Sequence, residues 1–440
     1  MSTKKINYSF SQDIEQTIEA DVIVIGGGPG GIGAAVASAR NGADTVLVER
    51  YGYLGGMATA GEVSPFMTNH LAGKCLDRPV YVDWVNAMRK YQIGADSELT
   101  DCAVTPTSGR IRMISKDLAM LAAEDICLEA GVRLVYHHSV FDAVVNDGKI
   151  ASVILFSKSG LTAARAGVYI DCTGDGDLAA KAGCGFEYGN AQGNCQPMTL
   201  CFKLAGVDLK NIPSREDINR LYDQATKAGE IDCPRENVLW FLTFDDDVVH
   251  FNTTRVIRKS AVNGLELSEA EIEARRQLRL FLAFLRKHIP EFANARIHSI
   301  GHHIGVRESR RILGRAYADV ATFEEPKKYP DAICKVRYPI DIHSPDGGGT
   351  DIRRLAENDW YEIPYGCIVA RDLDNLLVGG RPISVDHALH SSMRVMPPAC
   401  SIGQAAGTAA AMACKAGITP PEVDGVALRE RLKEMGAELD

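Results

Sequence analysis

Two groups of residues in the second half of the chain carry side chains suited to acid–base chemistry on a small molecule. An imidazole can move a proton and a guanidinium can hold an oxygen anion. The first group, His302, His303, Arg307 and Arg310, follows a predicted strand over Arg296–Ile300. The second, His387, His390 and Arg394, lies between a glycine pair, Gly379 and Gly380, and an alanine-rich stretch. Each histidine also has a plainer reading as a satisfied structural residue, and the run from Arg307 to Arg311 as an ion-paired element end. A third constellation is of another kind. Gly26, Gly28 and Gly31 stand at G-x-G-x-x-G spacing, with Pro29 and Gly30 among them, and Glu49 follows 23 residues after Gly26. Such spacing suits a dinucleotide: one glycine for the turn, one for backbone approach to a pyrophosphate, one for helix–strand contact, and an acid for ribose hydroxyls. The motif alone leaves open whether the ligand is FAD or a nicotinamide.

These residues need elements to hold them. Val22 to Ile25 form a β-branched run of the kind buried in a parallel sheet, and Ala34 to Arg40 continue as a small-residue helix ended by Gly42. Val46 to Val48 make a second strand that closes on Glu49. Residues 51–61 are too glycine-rich for regular structure and predict a loop passing close to something flat or charged. An amphipathic helix is expected over 79–93, another from Ser115 to Gly131, then a meander with its turn near Asn146-Asp147-Gly148 and a buried strand ending at Asp171. Residues 1–20 read as a polar arm. In the middle of the chain, Ser268 and Glu271 suggest a capping box, with Leu267 stapled on Ile272, for a helix that stops at Pro290. The tail offers a strand near Leu376 and a helix over about 398–415 with Gly403 and Gly407 four apart.

Composition narrows the function classes. A chain of 440 residues with 46% apolar residues can build two or three domains, and a net charge of -9 opposes a nucleic-acid or anionic-membrane partner. No apolar run reaches membrane-span length and the first residues lack an apolar leader segment, so a cytoplasmic location is the expectation. Twelve cysteines without a C-x-x-C pair suggest buried, reduced thiols and no metal site.

Four separated stretches resemble the FAD-dependent oxidoreductases with a glutathione-reductase-like flavin domain: 26–49, Tyr53-Leu54-Gly55-Gly56-Met57, Thr173-Gly174-Asp175-Gly176-Asp177, and 379–407. The runs 305–311, Tyr338-Pro339-Ile340-Asp341-Ile342-His343 and Arg394-Val395-Met396-Pro397 are similar to a largely uncharacterised bacterial subgroup of that family. The resemblance implies an α/β, Rossmann-like three-layer FAD-binding domain with an inserted α+β substrate domain. Its boundaries would be 21–185 with an excursion at about 76–110, 186–355 for the substrate domain, and 356–420 for the returning part. It implies noncovalent FAD contacted by Gly26, Gly28, Pro29, Gly30, Gly31, Glu49, Arg50, Gly55, Gly56, Met57, Ala58, Thr173, Gly174, Asp175, Gly380, Arg381, Gly403 and Gln404. The N-terminus of the last long helix would favour negative charge on the flavin.

The expected reaction is hydride transfer between flavin N5 and a carbon of a small polar or hydroxylated substrate, as CH-OH or CH-CH oxidation. Because flavin-binding elements bracket the second group, His387 or His390 is expected at the reacting carbon and Arg394 at the flavin or a substrate oxygen. His303 and Arg307 come next, and Arg255 and Tyr338 are weaker candidates for the cavity wall. The alternatives are a fumarate-reductase-like reductase of activated C=C bonds, an electron-transfer subunit, or a tRNA-modifying flavoprotein. A small-molecule substrate, an electron acceptor of unknown kind and a homodimer complete the expectations.

Overall fold

Val22 to Ile25 form the buried half of strand β1 (Gln16–Ile25). Gly26, at φ +99°, turns the chain into helix α1 (Pro29–Arg40), and strand β2 (Thr45–Val48) returns parallel to β1 with Ile25 opposite Val48. A Cβ at Gly31 would stand 1.8 Å from the Gly26 carbonyl oxygen, so this glycine lets α1 sit against the turn. The computed structural model describes residue 11, residues 13–91 and residues 115–440. Within them β1 starts earlier than the polar-arm reading expects, because Gln16 to Ala20 pair with Ala163 to Ala166. The first ten residues of that arm lie outside the described residues.

Helix α2 (Val80–Met88) realises most of the expected excursion helix, and a 3₁₀ turn carries it to Tyr91; the remainder of the excursion, to residue 110, lies outside the described residues. Helix α3 (Lys116–Glu129) packs on α2. Strand β3 (Arg133–Val135) joins β2 in parallel, and β4 (Ser139–Asn146), β5 (Lys149–Ser157) and β6 (Gly160–Asp171) make the meander. Its turn falls at Asp147 and Gly148, both at positive φ. Strand β6 serves twice. Its first half pairs antiparallel with β5, while its second half lies parallel to β1 with Asp171 opposite Ile25, so the buried strand ends level with the glycine turn.

The middle of the chain folds around a core of its own. Strand β7 (Phe202–Ala205), helix α4 (Arg215–Lys227), strands β8 (Trp240–Leu242) and β9 (Val249–Phe251), helix α5 (Gly264–His288) and strand β10 (Arg296–Ile300) bury Phe202, Tyr222, Phe251 and Phe281 together. Their strands form an antiparallel sheet in the order β8-β9-β7-β10. The capping-box expectation for α5 is corrected. The helix begins at Gly264 because Asn263 Oδ1 accepts from the Leu265 and Glu266 amides, a stronger local stop than Ser268. Ser268 is already inside the helix, donating to the Gly264 carbonyl, and Ile272 is exposed rather than stapled.

Toward the C-terminus, β11 (Ala332–Val336) pairs with β14 (Tyr361–Pro364), and β12 (Ile340–His343) forms a hairpin with β13 (Thr350–Arg353). Apolar residues from Ile312 to Ile363 join the same buried cluster as the parallel sheet. Strand β15 (Leu376–Val378) completes that sheet beside β6, with Val378 opposite Asp171. Helix α6 (His387–Met393) leads to the long helix α7 (Met396–Ala416), which starts two residues earlier than the sequence suggested. Helices α1 and α7 cross with their backbones in contact. A Cβ on Gly403 would lie 1.8 Å from the Gly30 oxygen, on Gly407 2.0 Å from the Ala34 oxygen, and on Gly33 2.1 Å from the Cys400 oxygen. No described helix is long and apolar enough to cross a membrane.

Candidate active site

The C-terminal ends of β1, β2, β6 and β15 open on one cavity of about 580 Å³, the position at which open parallel sheets take their ligands. Its first end is built mainly from backbone. Gly26, Gly28, Pro29 and Gly30 line it from the β1–α1 turn, and a Cβ on Gly28 would meet only Gly56 Cα, at 3.8 Å, which leaves room for a ligand against the main chain. No side chain caps the N-terminus of α1, so its first amides remain available to an anion. At the end of β2, Glu49 is fixed by two amides: Gly27 N donates to Oε2 at 2.6 Å and Tyr51 N to Oε1 at 2.9 Å. Arg50 lines the cavity beside it, its guanidinium 4.9 Å from the Tyr51 ring centroid. Gly56 and Met57 close the same end from the glycine-rich loop.

The loop after β6 is set by Asp171. This fully buried carboxylate accepts from Thr173 N, Thr173 Oγ1 and Ala179 N at 3.0, 2.7 and 2.8 Å. Burial pushes its pKa up to about 6 against those three bonds. Thr173, Gly174 and Asp175 thereby reach the cavity together. Asp175 Oδ1 accepts from Ser309 Oγ at 2.6 Å and Arg381 Nη2 at 2.9 Å. Burial opposes its ionisation, but Arg381, Ser309 and Arg50 outweigh burial and hold the carboxyl below its usual range. Arg381 Nη1 is buried with no partner among the described residues, and Gly380 lies next to it on the wall. Glycine backbone, uncapped amides, an anchored acid and a guanidinium nitrogen with no partner among the described residues fit a dinucleotide with a charged pyrophosphate.

Side chains from distant segments make the other end. Arg235 comes from the loop before β8, Arg307 from the segment after β10, Asp341 and His343 from β12, and Arg394 from the bend between α6 and α7. Asp341 and His343 are two apart on a strand and so share a face. His343 Nε2 lies 3.6 Å from Asp341 Oδ1 and its Nδ1 3.2 Å from Thr350 Oγ1. Burial, with Arg307 adding to it, pulls the His343 pKa down to about 3, so the ring is neutral at ordinary pH. Burial works against ionised Asp341, yet His343, Arg394 and Arg307 keep it well below the carboxylate range. Tyr338, on the same wall, donates to Asp341 Oδ2 at 3.3 Å.

Several expected site residues stand elsewhere. His390 is fully buried, its Nε2 3.1 Å from the Arg381 carbonyl oxygen, and it does not line the cavity. Burial and the neighbouring arginines Arg311, Arg394 and Arg381 hold it neutral. His387 also lies off the cavity, its Nδ1 2.8 Å from Glu308 Oε1, which Arg311 shares. Glu308 and the Arg381 carbonyl hold the two rings away from the wall that Arg394 reaches. Gly403 and Gln404 also stand off the cavity wall. Gly403 is the contact point of α7 on α1, and Gln404 accepts from Val80 N at 3.2 Å and donates to the Arg78 carbonyl at 3.0 Å. Gly31, Gly55 and Ala58 stand behind the wall and shape the turns that form it.

His303 and Arg307 both line the cavity but part company there. His303 faces Tyr51, its ring centroid 6.5 Å away, while Arg307 neighbours Thr199 and Pro197. Arg255 is buried outside the cavity in an ion pair with Glu236. Sequence reasoning gave no role to Asp341, His343 or Arg235. The D-x-H spacing in a β-branched run was a usable signal for the first two; Arg235, in an irregular loop, offered none.

With this geometry in hand, the chain belongs to the FAD dependent oxidoreductase family, whose pattern matches residues 21–432. It is an FAD-dependent oxidoreductase, and FAD is its cofactor. Among solved structures it is similar to a geranylgeranyl bacteriochlorophyll reductase-like protein from Thermoplasma acidophilum, at 11% identity and TM-score 0.46 over 96% of this chain and 85% of that one. It is also similar to the anhydrotetracycline hydroxylase OxyS from Streptomyces rimosus, at 13% identity and TM-score 0.45 over 93% and 64%. A third similarity is to the myxobacterial chondrochloren halogenase CndH, at 15% identity and TM-score 0.44 over 94% and 78%.

Proposed function

We propose that this chain catalyses hydride transfer between N5 of bound FAD and a carbon of a small polar or hydroxylated organic substrate. The observation that carries this reading is that a neutral imidazole, His343, and two guanidiniums, Arg307 and Arg394, share one cavity with the dinucleotide elements at Gly28 and Glu49. Glu49 and Arg50 hold the adenosine side, and the amides at the α1 N-terminus hold the pyrophosphate. The α7 N-terminus, lined up through Val395 and Met396, has no side-chain cap and favours negative charge beside it.

His343 takes the place that the sequence assigned to His387 or His390. With a substrate oxygen screening Arg307, whose charge lowers the basicity of the ring, His343 accepts the substrate's hydroxyl proton, and ionised Asp341, 3.6 Å from its Nε2, stabilises the imidazolium that results. Arg307 and Arg394 hold a substrate oxygen and orient the reacting carbon. Anaerobic addition of hydroxy acids, sugars and cyclitols tests the reading: a substrate bleaches the yellow flavin. If no compound in such a screen changes the flavin spectrum, the reading fails.

A second reading, reduction of an activated C=C bond, is favoured by the number of arginines on the wall. Chemically reduced flavin that is re-oxidised by an enone or an unsaturated acid, with no bleaching by any alcohol, would select it.

A further inference from the structure

The arginine end of the cavity holds more positive charge than its own residues can balance. Arg235, Arg307 and Arg394 all line it, and none of them forms an ion pair among the described residues. Their hydrogen bonds go to neutral acceptors. Arg235 Nε donates to Asn237 Oδ1 at 3.1 Å, Arg307 Nη1 to the Pro197 carbonyl at 2.7 Å and to Thr199 Oγ1, and Arg394 Nη2 to Gln196 Oε1 and the Asp341 carbonyl at 3.2 and 3.3 Å. Arg394 Nε is buried with no partner at all among those residues.

The carboxylates nearby are already committed. Glu236 is paired with Arg255, and Glu308 with Arg311. Glu236 still acts on Arg235 and Glu308 on Arg394, but Asp341 alone acts on all three guanidiniums and is not itself paired with another arginine among the described residues. Three cations against one uncommitted anion leave an excess of two positive charges on the cavity wall, where Arg235 and the Arg394 Nε are buried, and such charge is costly unless something answers it. Burial lowers the proton affinity of each of the three, and for Arg307 the other two arginines lower it further.

We propose that this end of the cavity seats a small organic dianion bearing two separated carboxylates, and that the substrate of the hydride transfer belongs to that class. The inference rests on the reading of this cavity as the substrate site. The layout separates it from a compact dianion. Arg394 is tied to Gln196 and β12, Arg235 to Asn237 in a different loop, and Arg307 feels the charge of both. Three guanidiniums held by separate segments suit two carboxylates, each able to accept a forked pair of hydrogen bonds from one of them, with the third shared. Asp341 and His343 then lie beside the carbon chain that joins them.

Calorimetric titration of the FAD-loaded protein with succinate, malonate, inorganic phosphate and uncharged succinamide tests the proposal. A dicarboxylate should bind and succinamide should not. Arg307→Gln should weaken the dicarboxylate by about tenfold or more, and Arg307→Lys, which keeps the charge but loses the fork, should fall between. Circular dichroism and flavin absorbance check each variant, and Arg235→Gln carries the same comparison if Arg307→Gln fails to fold. Equal affinity in wild type and variants, or no dicarboxylate binding, overturns the site; tighter binding of phosphate than of any dicarboxylate overturns the two-carboxylate assignment. Arginine-dependent dicarboxylate binding with no compound able to bleach or re-oxidise the flavin would leave the anion site standing and remove the hydride-transfer reading instead.

Discussion

The two ends of the cavity are made of different material. At the end formed by the glycine turn the wall is largely main chain, and its key positions, Gly26 to Glu49, fall within one β-α-β unit. At the arginine end side chains make the wall, and they arrive from positions 235, 307, 341, 343 and 394. A backbone site must be specified by local spacing, because the turn, the helix and the next strand are consecutive. A side-chain site needs only that the folded chain bring suitable groups together, so it can change its ligand without disturbing the fold.

The sharpest way to break this comparison is at His343. His343→Ala should slow flavin reduction by about 10²–10⁴-fold while FAD stays bound, as read by stopped-flow absorbance and flavin content. His387→Ala should leave that rate largely unchanged, since its ring faces Glu308. A large loss in His387→Ala with little in His343→Ala would reverse the assignment. The next largest effect belongs to Gly403→Ala. The added methyl would meet the Gly30 oxygen at 1.8 Å, so α7 must shift, and thermal unfolding should show a loss of about 3 kcal/mol together with weaker FAD retention.

Glu49→Ala sharpens the contrast from the cofactor side. It frees the Gly27 and Tyr51 amides and should raise the dissociation constant for FAD by about tenfold to a hundredfold, with dicarboxylate affinity of the loaded protein unaltered. The smallest expected effect is on acid stability. His343 keeps its proton off down to about pH 3 in the folded chain, whereas an unfolded histidine takes one up near pH 6.5. The unfolded state therefore binds more protons across that window, and stability falls as pH drops from about 6.5 toward about 3. His250, buried with neither ring nitrogen partnered among the described residues and also lowered to about 3 by burial, contributes in the same direction. His343→Gln and His250→Leu should each flatten the acid limb of a melting-temperature profile; no change in either would show that other groups govern it.

What the sequence made legible follows the same division. The strand at Val22, the glycine turn, Glu49, the loop through Met57 and the Thr173-Gly174-Asp175 corner were readable because their chemistry depends on near neighbours. The start of α5 was misread because Asn263, five residues upstream of Ser268, is also a capping residue, and only the folded chain shows which of the two is used. His387 and His390 misled for a related reason. Their position between flavin-binding elements says that they are near the site, but not which way a ring points, and Glu308 and the Arg381 carbonyl claim both. Arg235 was invisible since nothing local marks a loop arginine as one of three.

The crossing of α1 and α7 also bears on how the molecule is made. Gly30 touches the cavity on one side and Gly403 on the other, so the first phosphate-facing turn is braced by a helix near the far end of the chain. A nascent chain still tethered to the ribosome before α7 has emerged would carry the whole fingerprint and yet lack its support. A truncation that removes α7 should therefore accumulate as a colourless protein with every motif of the first strand intact, as read by flavin absorbance.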